Sequence, residues 1–236
     1  MLQTREPLQS RAKRRAALRS ALGAAVLISG ISACSGGTGD KEEQTLTASQ
    51  VCASTLDSSA VTALHRMGNT EKFTELPGTD DTGESNKFSL KRAASTIHDD
   101  MTQRNQCTVF KAGDKTGHPI IDVDFSATEY HPSTDGSTED GKSENTIYPM
   151  GVYAKTNDDV SATIYFKCST HGSRKPADLT SYIEANLYST PDQISTKATG
   201  RDLMTVLNAI SRGMAKQLGC EAQAALPSKV PEAKAG

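Results

Sequence analysis

The chain has 236 residues, no tryptophan, and 26 basic against 28 acidic residues, a formal net charge of −2. Residues 1–33 hold six of the basic residues and one acid, so residues 34–236 carry 20 basic and 27 acidic residues, a net charge of −7. That excess of acid argues against a general nucleic-acid binder, which needs a basic footprint, and against electrostatic adhesion to anionic lipid.

The first element is an export signal. Arg5, Arg11, Lys13, Arg14, Arg15 and Arg19 precede an uncharged, largely apolar stretch over residues 21–33, the two parts of a secretory signal peptide. The stretch is too short for a membrane-spanning helix, which needs roughly 18–20 apolar residues. It ends in Ile31-Ser32-Ala33-Cys34, which looks like a bacterial lipobox: an aliphatic residue, two small residues, and the cysteine that receives a diacylglycerol thioether. On this reading residues 1–33 are removed and Cys34 is lipidated. The acyl chains then hold the protein on the extracytoplasmic face of the cell membrane. The Arg14-Arg15 pair also suits twin-arginine export, so the export route stays open. Residues 34–50, beginning Cys34-Ser35-Gly36-Gly37, read as a flexible tether.

A single domain is expected over residues 51–220. Asp57 is placed to cap a short helix carrying Val61, Leu64 and Met67 and ending at Gly68. Residues 74–86 read as a mobile acidic loop. Leu90, Ala94, Ile97 and Met101 recur at helical spacing and predict a helix over 89–104. A strand opens at Cys107. From Ile120 to Tyr130 apolar and polar residues alternate, with Ile121, Val123, Phe125 and Ala127 on one face and Asp122 and Asp124 on the other, as in a strand buried on one side. Residues 131–146 hold no large apolar residue and read as a flexible excursion. Strands follow over 147–155 and 160–168, joined by a turn at Asn157-Asp158. Residues 181–189 fit a strand through Ile183, Ala185 and Leu187 or a helix through Leu179, Ile183 and Leu187; a fifth strand is preferred because Tyr182 and Tyr188 flank it and Pro191 closes it. Leu203, Leu207, Ile210, Met214 and Leu218 define an amphipathic helix over 199–219. Residues 221–236 read as a flexible tail. The order gives an α+β fold: a mostly antiparallel sheet of about five strands with helices packed on one face.

Cys52, Cys107, Cys168 and Cys220 remain after lipidation. Four cysteines in an exported domain are most simply two disulfides; metal ligation, the rival, usually needs clustered ligands such as C-x-x-C. Of the three pairings, the expected one is Cys107–Cys168, tying two strands of the sheet, with Cys52–Cys220 clamping the two ends of the domain.

Common catalytic signatures give no site: G-x-S-x-G, H-E-x-x-H and G-x-G-x-x-G do not occur, and Gly136 to Ser143 match G-x-x-x-x-G-K-[ST] in letters only, within a polar stretch that lacks the strand-then-helix setting a phosphate loop needs. The segment from Asp135 fails as an EF-hand calcium loop, because Asp140 and Thr146 stand where glycine and glutamate are needed. His65, His98, His118, His131 and His171 are scattered over separate elements. His98-Asp99-Asp100 reads as a solvated helix face, and the loop from His171 to Lys175 as a small basic loop. Asp122 and Asp124 lie on one strand face about 6–7 Å apart. Paired carboxylates can do acid–base work, but the simpler reading is the wet side of a half-buried strand.

The lipobox, a cysteine before the first helix, one opening the first strand, one closing a central strand, and a last helix ending Leu218-Gly219-Cys220 together resemble a group of uncharacterised actinobacterial envelope lipoproteins. The resemblance implies a small exported α+β domain with no assigned activity. The expectation is a lipid-anchored, non-enzymatic binding domain, with an envelope protein or small molecule as ligand and no cofactor, metal or catalytic residue. Its rivals are an envelope hydrolase with an unrecognised site and an accessory subunit of a membrane complex.

Overall fold

Helix α1 (Ser58–Gly68) starts where Asp57 accepts hydrogen bonds from the backbone N–H groups of Ser59 and Ala60, and it buries Ala60, Ala63, Leu64 and Met67. A computed structural model describes residues 45–99, 102–133, 145–157, 160–172 and 179–234 of the chain. The signal segment, Cys34 and most of the stretch 131–146 lie outside the described residues, as does Asp158 of the expected turn. Strand β1 (Phe73–Glu75) follows α1 and takes in the first two residues of the segment 74–86 that the sequence presents as a loop.

Helix α2 (Leu90–Ser95) is capped by the Ser89 side chain and is much shorter than the helix expected over 89–104. Its termination is local. The hydroxyls of Ser95 and Thr96 turn back to the Arg92 carbonyl, competing with helical propagation. The Ile97 carbonyl is taken by the Ala127 N–H at 3.0 Å.

Strands β2 (Cys107–Lys111) and β3 (Ile121–Thr128) fall where the alternation places them. The single strand expected over 147–155 is two, β4 (Asn145–Ile147) and β5 (Tyr153–Asn157), paired as a hairpin. Pro149 offers no N–H to a ladder. Gly151 takes φ +59°, where a Cβ would run into the Tyr165 carbonyl, so the reversal requires glycine. Strands β6 (Ser161–His171) and β7 (Leu179–Tyr188) complete the sheet.

Among the described residues the sheet therefore has seven strands rather than about five, in the order β1-β2-β3-β7-β6-β5-β4, with every pairing antiparallel. Two meanders, β1–β2–β3 and β4–β5–β6–β7, are joined where β7 lies against β3. The core side of the sheet carries Val109, Ile121, Val123, Phe125, Ala154, Ile164, Phe166, Ile183, Ala185 and Leu187, all buried.

Helix α3 (Gly200–Gln217) opens with a capping box between Thr199 and Asp202 and buries Leu203, Leu207, Ile210 and Met214. It contacts α1, β5, β6 and β7. Asp202 is 4% exposed, and the Arg66 guanidinium approaches it through Nε and NH2 at 2.7–3.1 Å. A short helix, α4 (Glu221–Ala224), follows.

Both expected ends of the domain move outward. Leu46 pairs with Phe73 through two backbone hydrogen bonds, and Ala48 is fully buried, so the last part of the expected tether belongs to the fold. The expected tail is also folded over residues 221–234. Val230 is buried, Arg201 holds the Val230 and Pro231 carbonyls, and Lys234 N–H bonds to Ile147.

The disulfides form, with a different pairing from the expected one: Cys52–Cys107 and Cys168–Cys220, each with a Cα–Cα distance of 5.3 Å. Two strands, β3 and β7, separate β2 from β6 in the sheet. At about 4.8 Å per strand, Cys107 and Cys168 are beyond the ~7 Å reach of a disulfide. The Cys52 turn instead sits against β2, and α4 sits against β6, which brings Cys220 to Cys168. Each bridge staples a terminal segment of the domain to the sheet, where the expected clamp tied the ends to one another.

Candidate functional site

Asp122 and Asp124 do share a face of β3, as their spacing requires, and antiparallel register places specific neighbours beside them. Residues directly opposite across a ladder lie on the same face. One row runs Asp122–Tyr188–Ser161–Asn157, the next Asp124–Asn186–Thr163–Lys155, and the next Ser126–Glu184–Tyr165–Tyr153. Thr128, Tyr182 and Lys167 form a fourth. These residues are half-buried or exposed, while the alternate residues of the same strands form the core. Tyr188 is 53% exposed, and Tyr130, at the rim beyond β3, is 79% exposed. Five of the six tyrosines thus stand on this face or its rim; the sixth, Tyr148, is buried. Toward β1 and β2 the face is closed, with Thr74 and Thr108 buried.

A hydrogen-bond chain fixes the middle row. Thr163 Oγ1 donates to Asn186 Oδ1 at 3.0 Å, and Asn186 Nδ2 donates to Asp124 Oδ1 at 3.4 Å. Burial pushes the Asp124 carboxyl above the usual carboxylate range, opposed by the Asn186 amide and assisted by the charges of Glu184 and Asp122. Burial does the same to Asp122. The Thr108 hydroxyl, opposite Asp122, is near enough to temper that shift but closes no well-formed hydrogen bond. Burial, with Glu184 beside it, holds the Tyr165 phenol well above its ordinary range, so it stays a neutral hydroxyl. Tyr165 meets Tyr153 edge-on with ring centroids 6.1 Å apart, and His131 meets Tyr182 edge-on at 4.7 Å. Among the described residues no basic side chain forms an ion pair with Asp122, Asp124 or Glu184. A partly desolvated carboxylate without a counter-charge is costly, so this face favours a cation.

The other sequence candidates disperse. His65 stacks on Phe73, while His118 and His171 are exposed. His98 Nε2 lies 3.0 Å from Thr170 Oγ1, which lies 2.9 Å from Thr180 Oγ1. Among the described residues that is the nearest approach to a nucleophile–base pair, and it ends on a hydroxyl where a catalytic triad would place a carboxylate. Asp100 and most of the basic loop after His171 lie outside the described residues.

One group of potential metal ligands converges among the described residues, Cys52, Glu75 and Cys107. Both sulfurs are spent in a disulfide, which removes them as thiolate ligands. Glu75 is 6% exposed and accepts the Cys52 N–H at 2.6 Å; burial raises its pKa, with that hydrogen bond and Lys87 opposing.

The acidic loop after β1 is tied down rather than free. Arg104 pairs with Asp80 and with Glu84. Arg92 reaches the carbonyls of Ser85, Lys87 and Arg104. A shallow groove of about 630 Å³ lies between this loop and α2, with its central guanidinium, Arg92, committed to structure.

Sequence reasoning found Asp122 and Asp124 but missed Glu184, Asn186, Thr163 and the tyrosines. The local signal was there: Tyr182, Glu184, Asn186 and Tyr188 alternate with Ile183, Ala185 and Leu187. What sequence did not supply is that β7 inserts between β3 and β6 and so gathers three polar stripes into one surface. A scan against protein-family models finds no match for this chain, and searches of curated proteins and of solved structures find none either.

Proposed function

We propose that the protein is a lipid-anchored, non-enzymatic binding protein of the bacterial cell surface. In this reading Cys34 carries the anchor, α1, α3 and α4 gather on the core side of the sheet, and the tyrosine–carboxylate face is turned toward an envelope component. The observation that carries the reading is the set of half-buried carboxylates without an ion-pair partner among the described residues, interleaved with tyrosines, on a face of four strands. Tyrosine offers a broad amphipathic contact area at low entropic cost, which makes it a frequent residue of recognition surfaces.

Binding of the chain from residue 34 onward, bearing Cys34→Ser, to isolated envelopes tests the face. Saturable capture is expected, and Tyr188→Ser with Glu184→Gln should abolish most of it. Equal capture of both forms refutes the reading. The anchor is tested separately in the full chain, where Cys34→Ala should release the protein or leave it uncleaved. Unchanged membrane retention with no lipid on the mature N-terminus contradicts that part.

The His98–Thr170–Thr180 chain is the one observation favouring a hydrolase. Ester or peptide hydrolysis by the purified protein that disappears in Thr170→Val would establish it.

A further inference from the structure

We propose that Asp122, Asp124 and Glu184, with the tyrosines beside them, form a guanidinium-binding site whose occupant is an extended, arginine-bearing segment of a partner protein. This rests on the reading of the face as a binding surface and gives it a chemistry.

The argument begins with charge. Three carboxylates stand on the face with two lysines, Lys155 at the far end of the Asp124 row and Lys167 diagonal to Glu184, and neither lysine nor any other basic side chain among the described residues pairs with a carboxylate of the face. The mature chain carries a net charge of −7, so a second copy of itself is a poor complement.

Geometry then separates an organic cation from a metal ion. A calcium site needs several oxygens converging at about 2.3–2.6 Å from one point. The carboxylate oxygens of Asp122, Asp124 and Glu184 do not gather within 4.8 Å of one another. Asp122 and Asp124 are instead spread along the strand by about 6–7 Å, and Glu184 sits diagonally across the ladder from Asp124 at about 7 Å. Side chains two apart on an extended peptide repeat at that same spacing.

The neighbours favour guanidinium over ammonium. Tyr188 stands opposite Asp122, and Tyr165 stands opposite Glu184. A guanidinium is planar and weakly hydrated, stacks on an aromatic ring, and still donates in pairs to a carboxylate; an ammonium is a compact, strongly hydrated point charge. The Thr108 hydroxyl, buried and without a well-formed hydrogen bond, borders the cluster on the β2 side.

Calorimetric titration of the mature chain bearing Cys34→Ser with the peptide Arg-Ser-Arg-Ser-Arg tests the proposal. The lysine analogue and calcium chloride alone serve as comparison probes. Saturable binding of the arginine peptide is expected, weaker by about tenfold or more in Asp124→Asn with Glu184→Gln, weaker in Tyr188→Ser, weaker for the lysine peptide, and weakened by salt. Urea midpoints of the variants establish that they remain folded. No saturable binding at about 1 mM, affinity unchanged in the double variant, or stoichiometric calcium binding lost in that variant would overturn the guanidinium assignment. Envelope capture that the face variants abolish but the arginine peptide does not compete would remove the assignment while leaving the face as the binding surface. Capture indifferent to the face variants would remove both.

Discussion

The two faces of strands β3, β7, β6 and β5 share one backbone and differ in almost everything else. On the core side Phe125, Ile164, Phe166, Ile183, Ala185 and Leu187 are buried. On the other side Asp122, Asp124, Glu184, Asn186, Tyr165 and Tyr188 stand half-buried or exposed. A period of two residues per pleat produces both. The contrast teaches that the residues that build the core and those proposed to meet a partner alternate along the same strands, so a change at one position should disturb one property and spare the other.

The largest effect should come from the core side. Phe166→Ala removes a fully buried ring and should cost about 3–5 kcal/mol in urea unfolding. Tyr165→Ser, one residue away on the other face, should cost about 1 kcal/mol or less. Equal losses would erase the distinction between the faces.

Next in size is the stapling of the terminal segments. Removing Cys168–Cys220 as the paired serine variant should cost about 2–4 kcal/mol, since the bridge closes a long loop. Non-reducing proteolysis should yield a peptide linking Cys52 to Cys107; a Cys107–Cys168 peptide would contradict the strand order itself.

Asp202 comes third. It caps α3 and receives the Arg66 guanidinium. Because Arg66 is half exposed, most of the value lies in the cap, and Asp202→Ala should cost about 1–2 kcal/mol. A neutral result would place the helix start elsewhere.

The smallest effect is a pH dependence that sharpens the comparison. Burial raises the carboxyls of Glu75, Asp122 and Asp124 above their ordinary values. A raised folded-state pKa means that the folded chain takes up protons first, so these groups add stability as pH falls from neutral through their folded values. That gain is complete below their unfolded values near 4 and is lost again as pH rises. Asp80 is lowered, foremost by the Thr82 hydroxyl, and acts oppositely in a separate, more acid window. Between pH 7 and 5 the urea midpoint of the parent chain should therefore rise relative to that of the variant combining Glu75→Gln, Asp122→Asn and Asp124→Asn. Parallel profiles would show that these carboxyls are not desolvated.

Much of this was legible in the sequence, for identifiable reasons. Period-two alternation showed the faces of β3 and β6 and favoured a strand for β7, and period 3.6, with the Asp57 cap for the first, showed α1 and α3. The failures came where local pattern gives way to a distant partner. The helix expected through residue 104 ends locally at Ser95, and β3 then takes the Ile97 carbonyl that a continuing helix would need. Residues 147–155 split because Gly151 turns the chain under Tyr165. The cysteine pairing missed because it depends on strand order, which no single strand reveals. The candidate site was half visible for the same reason: Asp122 and Asp124 lie on one strand, whereas Glu184, Tyr188 and Tyr165 join them only once β7 is inserted beside β3.

Hydroxyl-radical footprinting of the tyrosines tests the central claim most directly, because Tyr153, Tyr165, Tyr182 and Tyr188 all stand on the proposed binding face while Tyr148 lies in the core. In the purified chain Tyr188 should be labelled strongly and Tyr148 weakly. In the full-length protein within intact envelopes, Tyr188 and Tyr165 should lose most of their labelling while Tyr148 is unchanged. Labelling of Tyr188 and Tyr165 that is the same in both settings would contradict the assignment of this face to recognition.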